Sequence, residues 1–285
     1  NSNSYKMNKL HVILMLAVLM VTTACSDKDE VVTDNLSKYV IGNYEGYTSA
    51  SCAYFSGMMN AEQKIIVTEG SGDNKVDIQY ASPTWGTVTA TDAKVLESEG
   101  GYIISGTGVW SMGHNGSVSD YDCTVTGNVK SGETQFVFSS PSVMGGLKVE
   151  FTEGEIPASL VLPGVYKGWT DASCAYFQGM TADNQEITIS YKDNMYSVYY
   201  ESDTWGTFAI EDIKFSYAEG VFTISGDGNC KMGMDGNIKD YPCTLSGSID
   251  VEKSAPSFIF SVPAVMGGLT ITFSPGNLPS ESENE

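Results

Sequence analysis

The chain repeats itself at an interval of about 120 residues. Tyr44-Glu45-Gly46 matches Tyr166-Lys167-Gly168, and Cys52 to Met58 (CAYFSGM) matches Cys174 to Met180 (CAYFQGM). Thr84-Trp85-Gly86-Thr87 matches Thr204-Trp205-Gly206-Thr207, Tyr121 and Cys123 match Tyr241 and Cys243, and Val143 to Leu147 (VMGGL) matches Val265 to Leu269. The copies are offset by 120 or 122 residues, so only small insertions separate them. Each copy is long enough to bury a core of its own. Two domains, 38–153 and 163–275, are therefore expected. Between them lies a joint at 154–162, stiffened by Pro157 and by Pro163 just after it, and an acidic tail follows at 276–285.

Within each copy the apolar residues alternate. Phe258 and Phe260, Leu269, Ile271 and Phe273, and Phe222 and Ile224 share one face, with Ser257, Ile259, Ser261, Thr270 and Thr272 on the other. Phe136 and Phe138, Leu147, Val149 and Phe151, and Tyr102 and Ile104 repeat the pattern in the first copy. In the second copy eight such segments start near Gly164, Glu186, Met195, Gly206, Val221, Asp240, Ser257 and Gly268. Eight short antiparallel strands with one apolar face favour closure, because an open sheet exposes its edges. The expectation is an all-β chain of two tandem eight-stranded up-and-down β-barrels, with a β-sandwich as the structural alternative. The early Tyr-x-Gly strand, the eight segments and the closing Met-Gly-Gly-Leu-x-(Val/Ile)-x-Phe strand resemble the calycin-like (lipocalin-like) β-barrel lipoproteins of Bacteroidetes. The resemblance covers both copies. It implies the fold and a lipoprotein class, and it transfers no catalytic residue.

The N-terminus sets the compartment. Lys9 precedes an apolar run, Val12 to Val21, which is too short to span a bilayer and is followed by Thr22-Thr23-Ala24-Cys25. Residues 1–24 read as a signal peptide, with 1–6 an uninformative extension. Thr-Thr-Ala-Cys resembles a lipobox, which makes Cys25 the expected lipidation site. The alternative is an ordinary signal peptide in which Cys25 is incidental. Residues 25–37 are then the lipidated cysteine and an acidic linker, whose run Ser26 to Glu30 resembles a surface-export signal. An outer-membrane lipoprotein exposed at the cell surface is expected, touching the membrane through its lipid.

Charge excludes one large class of partner. All 15 basic residues are lysine, against 35 acids, for a net charge of −20. A chain this acidic, without a guanidinium fork, repels phosphate backbones, so no nucleic-acid partner is expected. The two histidines are His11, in the signal segment, and His114. No nucleophile–base constellation, metal ligand set or cofactor motif is readable, so no enzyme, metal or cofactor is expected.

The distinctive residues fall in alternate loops. Three turns of each copy are generic and polar. The other four loops hold Cys-Ala-Tyr-Phe-x-Gly-Met, Thr-Trp-Gly-Thr, Met-Gly-x-x-Gly (112–116 and 232–236) and Val-Met-Gly-Gly. Alternate loops of an up-and-down barrel share an end. Each barrel should therefore have a plain end, where the chain enters and leaves, and a motif end pointing away from the joint. Two readings of the motif end compete. Aromatic and Met side chains there would bind a glycan, a small apolar molecule or a protein, or they would merely plug the barrel mouth. The candidate ligand-binding residues are Tyr54, Phe55, Met58, Trp85, Trp110 and Met144 in the first copy. In the second they are Tyr176, Phe177, Met180, Trp205 and Met266. A filled eight-stranded lumen leaves little room, which favours a ligand on the rim over one in a cavity. The binding reading implies exposed indoles at Trp85 and Trp205, and the plug reading implies buried ones.

Five cysteines follow Cys25. Copy symmetry suggests disulfides Cys52–Cys123 and Cys174–Cys243, leaving Cys230, which takes the place of Trp110. Cys230–Cys243 is the rival pairing. The leading functional expectation is a surface-anchored, non-catalytic binding lipoprotein. The alternative is a structural or protein-interaction module of adhesin type, with the rim aromatics only closing the barrels.

Overall fold

The computed structural model describes residues 34–114, 117–233, 237–253 and 255–279. The expected signal peptide, Cys25 with most of its linker, the tips of the 112–116 and 232–236 loops and the end of the tail lie outside the described residues.

The first copy forms β1 (Gly42–Ser51), β2 (Met58–Glu69), β3 (Lys75–Ser82), β4 (Gly86–Ser98), β5 (Gly101–His114), β6 (Ser117–Val129), β7 (Gln135–Ser140) and β8 (Leu147–Glu153). Every consecutive pair is antiparallel, and β1 also pairs with β8, which closes the barrel. The alternation read from sequence becomes the inside and outside of this wall. Phe136, Phe138, Leu147, Val149, Phe151 and Ile104 are all fully buried. Outside, ion pairs such as Lys64–Glu45 and Lys148–Glu150 lie in water. An apolar lumen and a charged wall are the reverse of a membrane-spanning barrel.

The second copy forms β9 (Gly164–Ser173), β10 (Met180–Lys192), β11 (Met195–Ser202), β12 (Gly206–Ile210), β13 (Lys214–Ala218), β14 (Val221–Met232), β15 (Lys239–Asp250), β16 (Ala255–Val262) and β17 (Leu269–Pro275). This barrel closes as well, with β9 against β17 and β12 against β14. The expected fourth strand is broken into β12 and β13, both lying on β14. A matching irregularity is present in β4, which stays continuous but shifts register between Ala90 and Lys94 around Asp92, a residue with φ 55°. Asp212 takes the same left-handed conformation at the break in the second copy. In β4 the Asp92 carboxylate is tied to Ser71 and Lys75, and that anchoring pulls its ionisation below the usual range.

The glycine of each Tyr-x-Gly motif is demanded by the closing seam. A Cβ on Gly46 would come within 2.0 Å of the Thr152 carbonyl, and one on Gly168 within 2.0 Å of the Ser274 carbonyl. The tyrosine of the same motif closes the plain end. Tyr44 donates to the Val40 carbonyl at 2.7 Å, tying down a 3-10 helix at Leu36–Tyr39. Tyr166 donates to the Leu162 carbonyl at 2.7 Å, tying down the single-turn helix α1 (Ala158–Val161). Val40 and Leu162 are each fully buried beneath these plugs. The joint is therefore also the stopper of the second barrel.

The chain leaves the first barrel at its plain end, where Glu153 N–H donates to the Thr134 carbonyl. The barrels then meet wall to plain end. Tyr47, Met59 and Ala61 on the outside of β1 and β2 pack against the core cluster of the second barrel and its joint residues. Gly220, in the β13–β14 turn, sits so close that a Cβ there would touch Ala61 at 3.9 Å.

Candidate functional site

The motif loops do gather at one end of each barrel. In the first barrel the 52–57 loop is held by Cys52 N–H to the Phe55 carbonyl (2.9 Å) and by Ala53 N–H to the Met144 carbonyl (3.3 Å) of the β7–β8 loop. Phe55 stacks over Trp85 of the β3–β4 turn, centroids 5.7 Å apart. Trp110 donates its indole N–H to the Trp85 carbonyl at 2.6 Å. The second barrel repeats the pattern. Cys174 N–H reaches the Phe177 carbonyl (2.9 Å), Ala175 N–H reaches the Met266 carbonyl (3.2 Å), and Phe177 stacks over Trp205 at 6.3 Å.

The candidate residues separate into two layers. Tyr54 and Tyr176 stand 81% and 80% exposed at matching positions. Met58, Met144, Met180 and Met266 are exposed beside them, and Phe55 and Phe177 are half-buried. Met144 and Met266 hold left-handed φ angles of 48° and 52°. That conformation is disfavoured for a side chain with a Cβ and persists only where the surroundings enforce it.

Trp85, Trp205 and Trp110 lie beneath this layer, at 4%, 5% and 0% exposure. This corrects the expectation that the indoles form the rim surface, and for the tryptophans it is the outcome that the plug reading implied. Their N–H groups face inward to partners, which fixes the rings as supports: Trp85 donates to Asn60 Oδ1 at 2.7 Å and Trp205 to Thr170 Oγ1 at 3.0 Å. Below them Tyr80 donates to Gln63 and Tyr200 to Gln185, at 2.8 and 2.6 Å, and burial pushes both phenols up in pKa. Sequence reasoning missed this Thr48/Thr170, Gln63/Gln185, Tyr80/Tyr200 layer. The signal that could have found it is the repeat itself, since each pair recurs at the same offset as the rim motifs.

The expected disulfides are not formed, and Cys52, Cys123, Cys174, Cys230 and Cys243 are free thiols. Cys52 and Cys174 are half-buried in the rim, where each sulfur accepts a backbone N–H at 3.3 Å, from Tyr54 and from Tyr176. Cys123 and Cys243 face the lumens instead. Cys230 opposes Tyr241 and Cys243 opposes Gly228 across β14–β15, so these two buried thiols are diagonal neighbours. Burial pushes the Cys123 and Cys230 thiols up, and that of Cys243 up to about 12. Among the described residues no group of three or more His, Cys, Asp or Glu could hold a metal ion.

Comparing the copies shows what the duplication has kept. Some buried positions have changed: Val88 and Trp110 face each other across β4–β5, whereas Phe208 and Cys230 do so across β12–β14. Asn60 has become Ala182. The exposed Tyr and Met residues of the rims are the same in both.

Tandem closed barrels of eight up-and-down strands, each with an apolar lumen and a plugged plain end, define a calycin-like architecture. The chain belongs to the calycin-like beta-barrel domain family, whose model matches residues 40–152 and again 162–274. In fold it is similar to a crystal structure from Bacteroides fragilis NCTC 9343, provisionally described as an outer membrane protein. That match has 21% identity and a TM-score of 0.54, covering 86% of this chain and 100% of the other. A second similar structure is the isotype 1 transferrin binding protein B of serogroup B Neisseria meningitidis. It matches at 11% identity and a TM-score of 0.29, covering 77% of this chain and 53% of that one, a likeness too weak to bear on fold or function. No curated protein matches the chain.

Proposed function

We propose that the protein is a surface-anchored, non-catalytic binding lipoprotein of the outer membrane that takes its ligand on the two motif-end rims. One observation carries this. Tyr54 and Tyr176, with Met58/Met180 and Met144/Met266, are exposed and unchanged between the copies, although three positions beneath them (Asn60/Ala182, Val88/Phe208 and Trp110/Cys230) differ. Core packing constrains buried residues and leaves exposed ones free to change, so exposed apolar side chains kept in both copies indicate contact with something outside the chain. The contact residues are Tyr54, Phe55, Met58 and Met144, and Tyr176, Phe177, Met180 and Met266. Trp85, Trp110 and Trp205 stiffen the rim from below. Cys25 carries the lipid in this reading, supported by the Thr-Thr-Ala-Cys run.

The test is a combined array of glycans, lipids and small apolar molecules probed with the full chain and with Tyr54→Ala/Tyr176→Ala. Binding that the double variant loses supports the reading. Binding that it retains in full overturns it in favour of a structural or protein-interaction module. The anchor is tested separately by acyl labelling: Cys25→Ala should remove the label, and a label that persists removes the lipoprotein assignment.

A further inference from the structure

Resting on that reading, we infer that each rim binds a neutral saccharide, with one pyranose ring stacked on Tyr54 and an equivalent one on Tyr176. The first observation is charge. The chain is 18% charged, yet the loops 52–58, 83–86 and 141–146 contain no Asp, Glu, Lys or Arg. In the second copy, loops 174–180, 203–206 and 263–268 contain Asp203 alone, and the fourth motif loop, 232–236, adds Asp235. Lys148, at the rim end of β8, is held by Glu150 at 2.6 Å, and its place in the second barrel is taken by Thr270. A charged ligand at the first rim, or an anionic one at the second, would lose its hydration there without gaining a counter-charge.

The second observation is bare backbone. Gly57 and Gly179 (φ 73° and 69°) and Gly146 and Gly268 (φ 108° and 107°) lie in the same loops as the exposed tyrosines and methionines. A Cβ added at any of these four positions would meet nothing within 4 Å. The backbone there is thus open to solvent, although the N–H groups of Gly146, Gly268 and Gly179 are already bonded to the Val143 carbonyl, the Val265 carbonyl and Ser173 Oγ. A wholly apolar ligand would strip water from the carbonyl oxygens of that open backbone and return no hydrogen bond, a net cost.

A neutral sugar meets both conditions. Its hydroxyl groups can replace water at the uncovered peptide groups, and its C–H face suits the negative face of an exposed phenol ring. The backbone that carries the tyrosines is already held. Tyr54 N–H and Tyr176 N–H donate to the sulfurs of Cys52 and Cys174, and each loop is latched to the β7–β8 loop through Ala53 or Ala175. A preformed loop loses little freedom on binding.

The experiment is calorimetric titration of the full chain with neutral gluco-, manno-, galacto- and xylo-oligosaccharides. Heparin, oligogalacturonate and phosphatidylcholine vesicles are run in parallel. The expected result is a neutral oligosaccharide that binds at two sites per chain. Tyr54→Ala should halve the site number, and Tyr54→Ala/Tyr176→Ala should weaken binding at least tenfold with unchanged tryptophan emission. Tyrosine-dependent binding of the vesicles or the anionic polymers alone would overturn the saccharide inference while leaving rim binding intact. Failure of every neutral oligosaccharide to bind, or sugar binding indifferent to both tyrosines, would also overturn it.

Discussion

The indole N–H of Trp85 donates to Asn60 at 2.7 Å, a bond the second barrel cannot make because Ala182 stands where Asn60 does. Trp205 reaches instead to Thr170 Oγ1 at 3.0 Å. The equivalent hydroxyl in the first barrel, Thr48 Oγ1, is left buried without a hydrogen-bond partner. One substitution thus accounts for an orphaned polar atom in the neighbouring strand.

That asymmetry predicts opposite responses to one chemical change. Thr48→Val swaps an unpaired hydroxyl for a methyl and should be neutral or stabilising by up to about 1 kcal/mol, whereas Thr170→Val strands a buried indole N–H and should cost about 1–3 kcal/mol. Urea unfolding midpoints at constant slope would measure both. Equal destabilisation by the two variants would contradict the hydrogen-bond assignment.

A second prediction concerns volume exchange across facing strands. Val88 opposite Trp110 and Phe208 opposite Cys230 are small–large and large–small solutions to one packing problem. Phe208 fills its side by stacking on Tyr200 and packing at a tilt against Phe260. Trp110→Cys alone should cost on the order of 3–5 kcal/mol through the cavity it leaves. Adding Val88→Phe should restore at least half of that loss. A double variant no more stable than the single one would show that the two sites do not share a cavity.

These contrasts mark what could be read without a structure. The repeat and the two-residue alternation carry the strand number, barrel closure and the gathering of motif loops at one end, because lumen-facing residues must alternate with wall residues whatever their neighbours. The break at Glu211–Ile213 was not legible, since it depends on Asp212 adopting a left-handed conformation. Nor was the layering of the rim. Tyr54 and Trp85 are both aromatic residues in loops, and only the inward partner at Asn60 decides which of the two is covered. The cysteines misled because copy symmetry pairs positions along the sequence, while Cys52 lies in the rim and Cys123 faces the lumen.

Alkaline pH should loosen the plain-end plugs. Burial raises the phenols of Tyr44 and Tyr166 from the ordinary value of 10.0 to about 12, with the Glu153 charge adding to the effect at Tyr44. A pKa higher in the folded state means the folded chain holds its proton longer, so this stabilisation is complete below pH 10 and is lost as pH rises through 12. Each tyrosine accounts for on the order of 2 kcal/mol over that window. Tyr44→Phe/Tyr166→Phe should lose about 1 kcal/mol per hydrogen bond at neutral pH and show a flatter fall above pH 10. An unchanged alkaline slope would contradict the assignment.

The thiols should react in an order set by burial. Cys52 and Cys174 should alkylate in the folded chain, whereas Cys123, Cys230 and Cys243, buried and with raised pKa values, should require denaturant. Peptide mass analysis without reductant should find all five labelled in the denatured chain. A peptide linking Cys52 to Cys123, or Cys230 to Cys243, would contradict the free-thiol state.

The central claim is that the exposed tyrosines serve binding and the buried tryptophans serve stability. Its most direct test is the unfolding midpoint of Tyr54→Ala/Tyr176→Ala, measured on the same sample as its binding to the neutral oligosaccharides. The predicted result is a midpoint within about 0.5 kcal/mol of the unmodified chain, as for surface substitutions, together with lost binding. A variant that unfolds markedly earlier yet binds unchanged would show that the rim is only a plug.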